Sequence, residues 1–302
     1  MVSINICSCV IGGIVVEVDM VFFYNSSKSF DRSTEYFSSF VKRKDNQSVF
    51  NCDIYIYFNR LQKESFQPTG KRIFLEQRSS LQEKSDGTFQ LLCFSEQGGD
   101  VLWNLDIDAK FSRFEYSLSP EAIETSDFFQ LAFNRFLLQH TFINHHGLII
   151  HAAGGSINGK GMVFPAVSGT GKSTLSHLLL PHPENQLFSE ERIIMRRLDD
   201  GWHLWGTPWK GTGVIARNES APLNAIVFLS QAPETKVSKL PPSAALRRLL
   251  ETVSIPWYSQ EWTDKGLAVC ESLLKTIPVY ELAFRPDQTA VQAVAELAAS
   301  LD

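Results

Sequence analysis

Ala166-Val167-Ser168-Gly169-Thr170-Gly171-Lys172-Ser173-Thr174 lies between an apolar run, Gly161-Met162-Val163-Phe164, and Leu175-Ser176-His177-Leu178-Leu179-Leu180. The run before it reads as a strand, and the residues after it read as the start of a helix. Strand, glycine-rich loop and helix, with a closing Gly-Lys-Ser, make the Walker A pattern of a phosphate-binding loop. Ala166 stands where the strict pattern has Gly. The glycines let successive backbone N–H groups turn toward one anion, and the helix start adds its partial positive charge. In this reading Ser168, Gly169, Thr170, Gly171, Lys172, Ser173 and Thr174 bind the nucleotide. Lys172 reaches the outer phosphates, and the Ser173 hydroxyl ligates Mg²⁺.

The strand that enters the loop belongs to a hairpin. Leu148-Ile149-Ile150-His151-Ala152-Ala153 runs in, Asn158-Gly159 turns the chain, and Lys160–Pro165 returns. Most phosphate-loop enzymes enter through a βαβ unit instead. After the loop helix, Pro181-His182-Pro183 stops the helix. Gln186–Glu191 then reads as a strand ending in two carboxylates, Glu190 and Glu191. A phosphate loop needs an acid on its metal side, usually at a nearby strand end, and one short helix separates this pair from Lys172. Adjacent side chains on a strand point to opposite faces, so both carboxylates reach the site only through a bulge or twist. Asp199-Asp200, just before Gly201, is a competing acidic pair and reads as a turn.

His146 and His151 precede the loop on the adjoining strand. Each fits two roles, donor to a phosphate or acceptor group or core histidine satisfied by backbone. Arg192 and Arg217 fit phosphate contacts and surface charges equally.

Downstream, Arg192–Arg196 and Trp202–Gly206 read as a hairpin, and Ala225–Leu229 as a buried strand. Ser243–Val253 and Asp264–Thr276 read as helices and Val279–Phe284 as a strand. Asp287 caps a last helix with the stripe Val291, Val294, Leu297, Leu301.

Upstream, residues 1–125 read as a β-rich region. A hairpin breaks at Gly12-Gly13, a short segment spans Phe37–Val41, and strands cover Asp53–Phe58, Arg72–Glu76, Thr88–Phe94, Val101–Ile107 and Phe111–Leu118. The alternation predicts an antiparallel layer whose aromatics, Tyr55, Tyr57, Phe58, Phe89 and Trp103, form core. It carries no converging acids, histidines or glycines. A helix is expected from Ser126 or Asp127 to about Ile143, with Phe129, Phe133, Phe136, Leu137 and His140 on its buried stripe.

Composition narrows the classes. The chain has 302 residues, 44% of them hydrophobic, and a net charge of −5. That suits one large or two ordinary domains and gives no basic patch for nucleic acid. The five cysteines, Cys7, Cys9, Cys52, Cys93 and Cys270, are odd in number and scattered. They read as reduced thiols of a cytoplasmic protein, which makes the Asn-x-Ser triplets at Asn25, Asn46 and Asn218 chance. No run approaches the ~20 apolar residues of a membrane span.

The order His146-Gly147, hairpin, Ser168–Thr174, then Ser189-Glu190-Glu191-Arg192 resembles the catalytic domain of HPr kinase/phosphorylase. Leu148–Ala153 and Gly206-Thr207-Pro208-Trp209 look more similar still to the HPr-kinase-related proteins of peptide-modification cassettes, such as the SynChlorMet cassette protein ScmC. The resemblance covers about residues 126–300. It implies an α/β, phosphoenolpyruvate-carboxykinase-like P-loop domain over 126–302, ATP or another nucleoside triphosphate with Mg²⁺, and a peptide or small protein as phosphoryl acceptor. By the same resemblance Glu190 is the base that takes the acceptor's proton, and Glu191 lies at the metal site. The family normally has Asp-Asp there. The extra methylene carries each carboxylate about one C–C bond further, in a chemistry sensitive to displacements of about 1 Å. HPr kinases assemble as hexamers, so a homo-oligomer is one expectation. The first ~125 residues do not resemble the N-terminal domain of HPr kinase, so recognition of HPr itself is not implied. Two readings stand: an ATP-dependent kinase of a serine or similar hydroxyl, and a catalytically weak nucleotide-binding accessory module of a biosynthetic pathway.

Overall fold

The computed structural model describes residues 4–21, 41–43, 54–60, 68–76, 78–96, 99–125, 131, 134–167, 169–211 and 215–301. Ser168, Phe129, Phe133 and the Phe37–Val41 segment up to Val41 lie outside them. The chain forms two compact units, Met1–Thr141 and Phe142–Asp302.

The first unit is a mixed nine-stranded sheet: β1 (Ile4–Ile11), β2 (Ile14–Val21), β3 (Val41–Arg43), β4 (Ile54–Arg60), β5 (Lys71–Glu76), β6 (Ser79–Glu83), β7 (Phe89–Phe94), β8 (Val101–Ile107) and β9 (Arg113–Leu118), in the order β3-β1-β2-β4-β9-β8-β7-β6-β5. The expected antiparallel layer is corrected in the middle, where β2 runs parallel to β4 and β4 parallel to β9. Alternation of side chains is the same in either direction, so the sequence pattern does not report it. The long connections between these strands supply the crossovers that parallel pairing needs. Strand β6 is an addition, and it, not β5, pairs with β7 across Asp86-Gly87.

The period-2 pattern becomes one buried row across the sheet. Leu81, Leu91, Leu105, Tyr116 and Phe58 are cross-strand partners in sequence and all are at most 4% exposed. Tyr116 stacks on Phe58 at 4.9 Å, and its hydroxyl donates to the Leu131 carbonyl at 3.0 Å, which satisfies its one polar atom. Of the expected core aromatics, Phe58 and Trp103 are buried. Phe89 is half-buried against Phe111, and Tyr57 lies under the Arg113 guanidinium. The Tyr55 side chain lies outside the description.

The single helix expected over 126–143 is corrected at Asn134, which is not helical, while residues 126–130, 132 and 133 lie outside the described residues. Helix α1 spans Pro120–Thr125, with the Ser119 hydroxyl accepting from Ala122 N–H. Helix α2 begins only at Arg135, because Asn134 caps it, its side chain accepting from Phe136 N–H at 2.8 Å. On α2 His140 is fully buried and stacks on Phe111 at 4.2 Å. Its Nδ1–H donates to the Phe136 carbonyl at 2.7 Å. Burial holds its pKa down at about 3, against a weaker opposing effect of that hydrogen bond.

A histidine lowered on folding contributes stability above its unfolded pKa and loses it as pH falls toward the folded one. Stability of the first unit is therefore expected to drop between pH 6.5 and 3 through this residue, by of order 4 kcal/mol. Urea melts across that range should show His140→Phe losing less stability in acid than the parent. Equal acid sensitivity of the two would rule His140 out as the cause.

The second unit places an eight-stranded sheet among helices: β10 (Gly147–Ile157), β11 (Lys160–Pro165), β12 (Asn185–Ser189), β13 (Arg192–Leu198), β14 (Gly201–Trp205), β15 (Ser220–Gln231), β16 (Lys236–Lys239) and β17 (Val279–Phe284), with α3 (Lys172–Leu179), α4 (Pro242–Leu250), α5 (Gln260–Thr276) and α6 (Gln288–Ser300). The β10–β11 hairpin turns at Asn158 (φ 48) and Gly159 (φ 77), both left-handed as a two-residue turn requires. β11 runs parallel to β15, and β15 parallel to β17. The ring β11-β10-β13-β14-β15 closes on itself. Leu175 and Leu179 of α3 pack with Ala290, Val291, Val294 and Leu297 of α6 on Met162, Phe164, Val227 and Leu229. The cap at Asp287 is present, accepting from Thr289 N–H. Strand β16 was not expected. Among the described residues no helix is long and apolar enough to cross a membrane.

Candidate functional site

Strand β10 sets the site out. On one side Ala152 pairs with Pro165, the last residue of β11, and Ala166 N–H donates to the His151 carbonyl. On the other side β10 pairs with β13 through Gly147–His151 and with β12 through Gly154–Ile157. Glu190 and Glu191 form the bend between β12 and β13, opposite Ala152, whose N–H donates to the Glu191 carbonyl. Loop entry and acidic pair thus flank the same residues of β10, about 10 Å apart as backbones, two strand spacings. Because the pair sits past the end of β12, strand alternation does not apply to it.

The loop has the backbone its glycines permit. Gly169 has φ 83 and Gly171 φ 110. Gly171 is the cap residue of α3, with no side chain capping the helix start. Lys172 is 8% exposed, and its ammonium donates to the Ala166 carbonyl at 2.8 Å. Burial lowers its pKa, the Glu191 carboxylate offsets part of that, and Arg192 adds to the lowering. Ser173 and Thr174 lie in the first turn of α3.

A side chain at Gly171 would meet Phe284 Cζ at 2.8 Å and hold a left-handed backbone as well. Gly171→Ala is expected to cost about 1–3 kcal/mol, measured by denaturant melts. Phe284→Leu in the same chain should recover only the steric part, and full recovery would contradict a backbone contribution.

The two glutamates differ. Glu190 is 2% exposed, and neither of its carboxylate oxygens has a hydrogen-bond partner among the described residues. Gly211 passes over it: a Cβ there would lie 3.4 Å from Glu190 Cγ and 3.5 Å from Glu191 Cβ. Glu191 is half-open to solvent, with His151 Nε2 at 3.9 Å and the Arg192 guanidinium at 4.0 Å. The Ser189 hydroxyl accepts from the N–H groups of Glu191 and Arg192, both at 3.3 Å, which holds the bend. The Thr207 hydroxyl donates to the Arg192 carbonyl at 2.7 Å and ties the 206–211 segment to it.

His151, Glu190, Glu191 and Gly169–Thr174 are therefore brought together. His146 is not. It is exposed, with φ 57, and stands roughly 16 Å along β10 from His151. Its carbonyl accepts from Arg197 N–H. Arg217 is exposed, and its N–H donates to the Phe188 carbonyl. Asp199-Asp200 is an exposed turn, with Asp200 on His203 at 3.0 Å. Sequence reasoning missed Gly211, Phe284 and Gln231, whose side-chain amide donates to the Gly169 carbonyl at 3.0 Å. No local signal marks them, because Phe284 and Gln231 reach the site through the sheet order and Gly211 through the segment that follows β14.

The donor set suits nucleotide phosphates: an uncapped helix start, left-handed glycines and a buried lysine. Among the described residues no group of three or more His, Cys, Asp or Glu is arranged to hold a metal. Mg²⁺ here would take Ser173, a glutamate and phosphate oxygens as ligands, as this ion commonly does. None of the curated proteins matches the chain. The family model of the SynChlorMet cassette protein ScmC matches residues 126–285, more than half of the chain, so the protein belongs to the ScmC family.

Proposed function

We propose that the protein binds a nucleoside triphosphate, ATP foremost, at the Ala166–Thr174 loop and transfers its terminal phosphoryl group to a serine or similar hydroxyl of a peptide or small protein. The second unit is then an HPr-kinase-like domain of the phosphoenolpyruvate-carboxykinase-like P-loop fold. The observation that carries the reading is Glu190, a buried carboxylate without a partner among the described residues, set across β10 from the loop. An unpaired buried carboxylate costs free energy, and such groups cluster where chemistry uses them.

In that reaction Glu190 accepts the hydroxyl proton as the acceptor oxygen bonds to phosphorus and the bond to the nucleoside diphosphate breaks. Lys172 and the loop N–H groups carry phosphate charge. Ser173 and Glu191 would hold Mg²⁺, which when bound neutralises more of that charge. His151, beside Glu191, orients that carboxylate. The β-rich first unit selects the acceptor, and the setting is the cytoplasm, where ATP is supplied. A second reading, a nucleotide-binding accessory module, is favoured by one feature, the glutamates where the HPr kinase family has aspartates.

The test is transfer of label from γ-labelled ATP with Mg²⁺ to serine-containing peptides. Labelled product that disappears with Lys172→Ala supports the kinase. ATP binding without transfer to any hydroxyl supports the accessory module, and absence of ATP binding refutes both.

A further inference from the structure

Strand β15 ends beside the loop. It runs parallel to β11 with Val163 opposite Ile226, so its last residue, Gln231, comes level with the loop after β11 has ended. The Gln231 amide donates to the Gly169 carbonyl at 3.0 Å, across 62 residues of sequence. A Cβ at Gly169 would have nothing within 4 Å. Among the described residues, then, no neighbour packs over the Cα of Gly169, and the Gln231 hydrogen bond holds its carbonyl.

The Gly169–Thr170 peptide is trans, so its N–H points opposite to the carbonyl that Gln231 holds. That N–H lies 3.4 Å from the Val167 carbonyl, a long and weak contact. The Thr170 hydroxyl already satisfies the same carbonyl at 2.7 Å. The Thr170 N–H is thus turned back toward the Val167 carbonyl and held there only weakly, by a carbonyl that has a second, shorter donor. A flipped peptide would put the Gly169 carbonyl there instead, facing negative charge.

We propose that Gln231 is a positioning residue of the phosphate loop, fixing the Gly169–Thr170 peptide in its anion-accepting orientation. This rests on reading Ala166–Thr174 as a phosphate site. The full chain is titrated calorimetrically with Mg²⁺–ATP and with inorganic tripolyphosphate, which lacks a nucleoside. Gln231→Met keeps length and loses the donor. It should weaken both probes alike, by about three- to tenfold, with an unchanged thermal midpoint. Gln231→Lys restores a donor and should bind as the parent does, even in about 0.5 M salt, where its added charge is screened.

Parent-like binding by Gln231→Met, alongside loss in Lys172→Ala, overturns the positioning role and leaves the loop reading intact. Weakening of ATP alone assigns Gln231 to the nucleoside and likewise overturns it. Parent-like binding by Lys172→Ala, or a parent chain that binds neither probe, overturns the loop reading and this inference with it.

Discussion

Glu190→Gln is expected to lower phosphoryl transfer by roughly 10²–10⁴-fold, the usual contribution of a positioned base, while Mg²⁺–ATP affinity stays near that of the parent. Glutamine has the same shape and fills the same space beneath Gly211. What it lacks is the ability to take a proton at the acceptor. A fold that buries a carboxylate without partners is also less stable than one that does not, so Glu190→Gln should unfold at the same or a higher denaturant concentration than the parent. Lower transfer with equal or greater stability is the signature of a group kept for chemistry. Glu191→Gln should behave differently. Its carboxylate lies beside His151 and Arg192 and acts on Lys172, so its loss should weaken Mg²⁺–ATP binding itself. Single-turnover transfer and calorimetry on both variants check the contrast. Undiminished transfer by Glu190→Gln would remove it as the base. If the parent binds ATP and transfers to no hydroxyl, the Glu190→Asp, Glu191→Asp chain becomes decisive. Activity gained there means that the longer side chains displaced a working pair, and no gain favours the accessory module.

Lys172→Ala is expected to reduce ATP affinity about ten- to a hundredfold, the worth of a charge-assisted hydrogen bond of about 1.5–3 kcal/mol. The lysine is buried, and its ammonium rests on the Ala166 carbonyl. Its removal therefore also leaves that carbonyl without this donor. Lys172→Met, which keeps most of the stem, separates packing from charge: both variants should lose affinity, and Met should lose less stability. Burial lowers the lysine's pKa, so the unfolded chain holds that proton more firmly, and this residue opposes folding less as pH rises through the lowered value. A phosphate at the ammonium acts the other way, favouring the charged form. ATP affinity should therefore fall as pH rises through the free protein's Lys172 pKa, and the Met variant should lack that dependence. Calorimetric titrations at neutral and alkaline pH measure it, and parent-like affinity in Lys172→Ala would end the phosphate-loop assignment.

Much of the second unit was legible in the chain. Asn158-Gly159 demands a two-residue turn, Val279–Phe284 and Ala225–Leu229 are apolar enough to be buried strands, and Gly169 and Gly171 before Lys172 announce a left-handed loop leading into a helix. Each is a local property, set by backbone freedom, side-chain volume and charge within a few residues. The errors came where local signals are silent. Alternation in β4 and β9 reads the same in a parallel or antiparallel sheet, so the mixed order of the first unit was invisible. Asn134 interrupts what looked like one helix because its side chain offers the backbone a cap, a competition that periodicity does not register. His146 and His151 were indistinguishable as letters on one strand. Register alone put His151 at the loop entry and left His146 in an exposed left-handed turn. Glu190 and Glu191 were visible as a pair, but their division into a buried carboxylate without a partner among the described residues and a half-open, paired one follows from the bend between β12 and β13 and from Gly211 crossing above it. Gln231 and Phe284 had no signal at all. They touch the loop because β11, β15 and β17 run parallel and β15 and β17 end together beyond the end of β11, level with the loop, and that adjacency comes from hydrogen bonds between strands far apart in the chain.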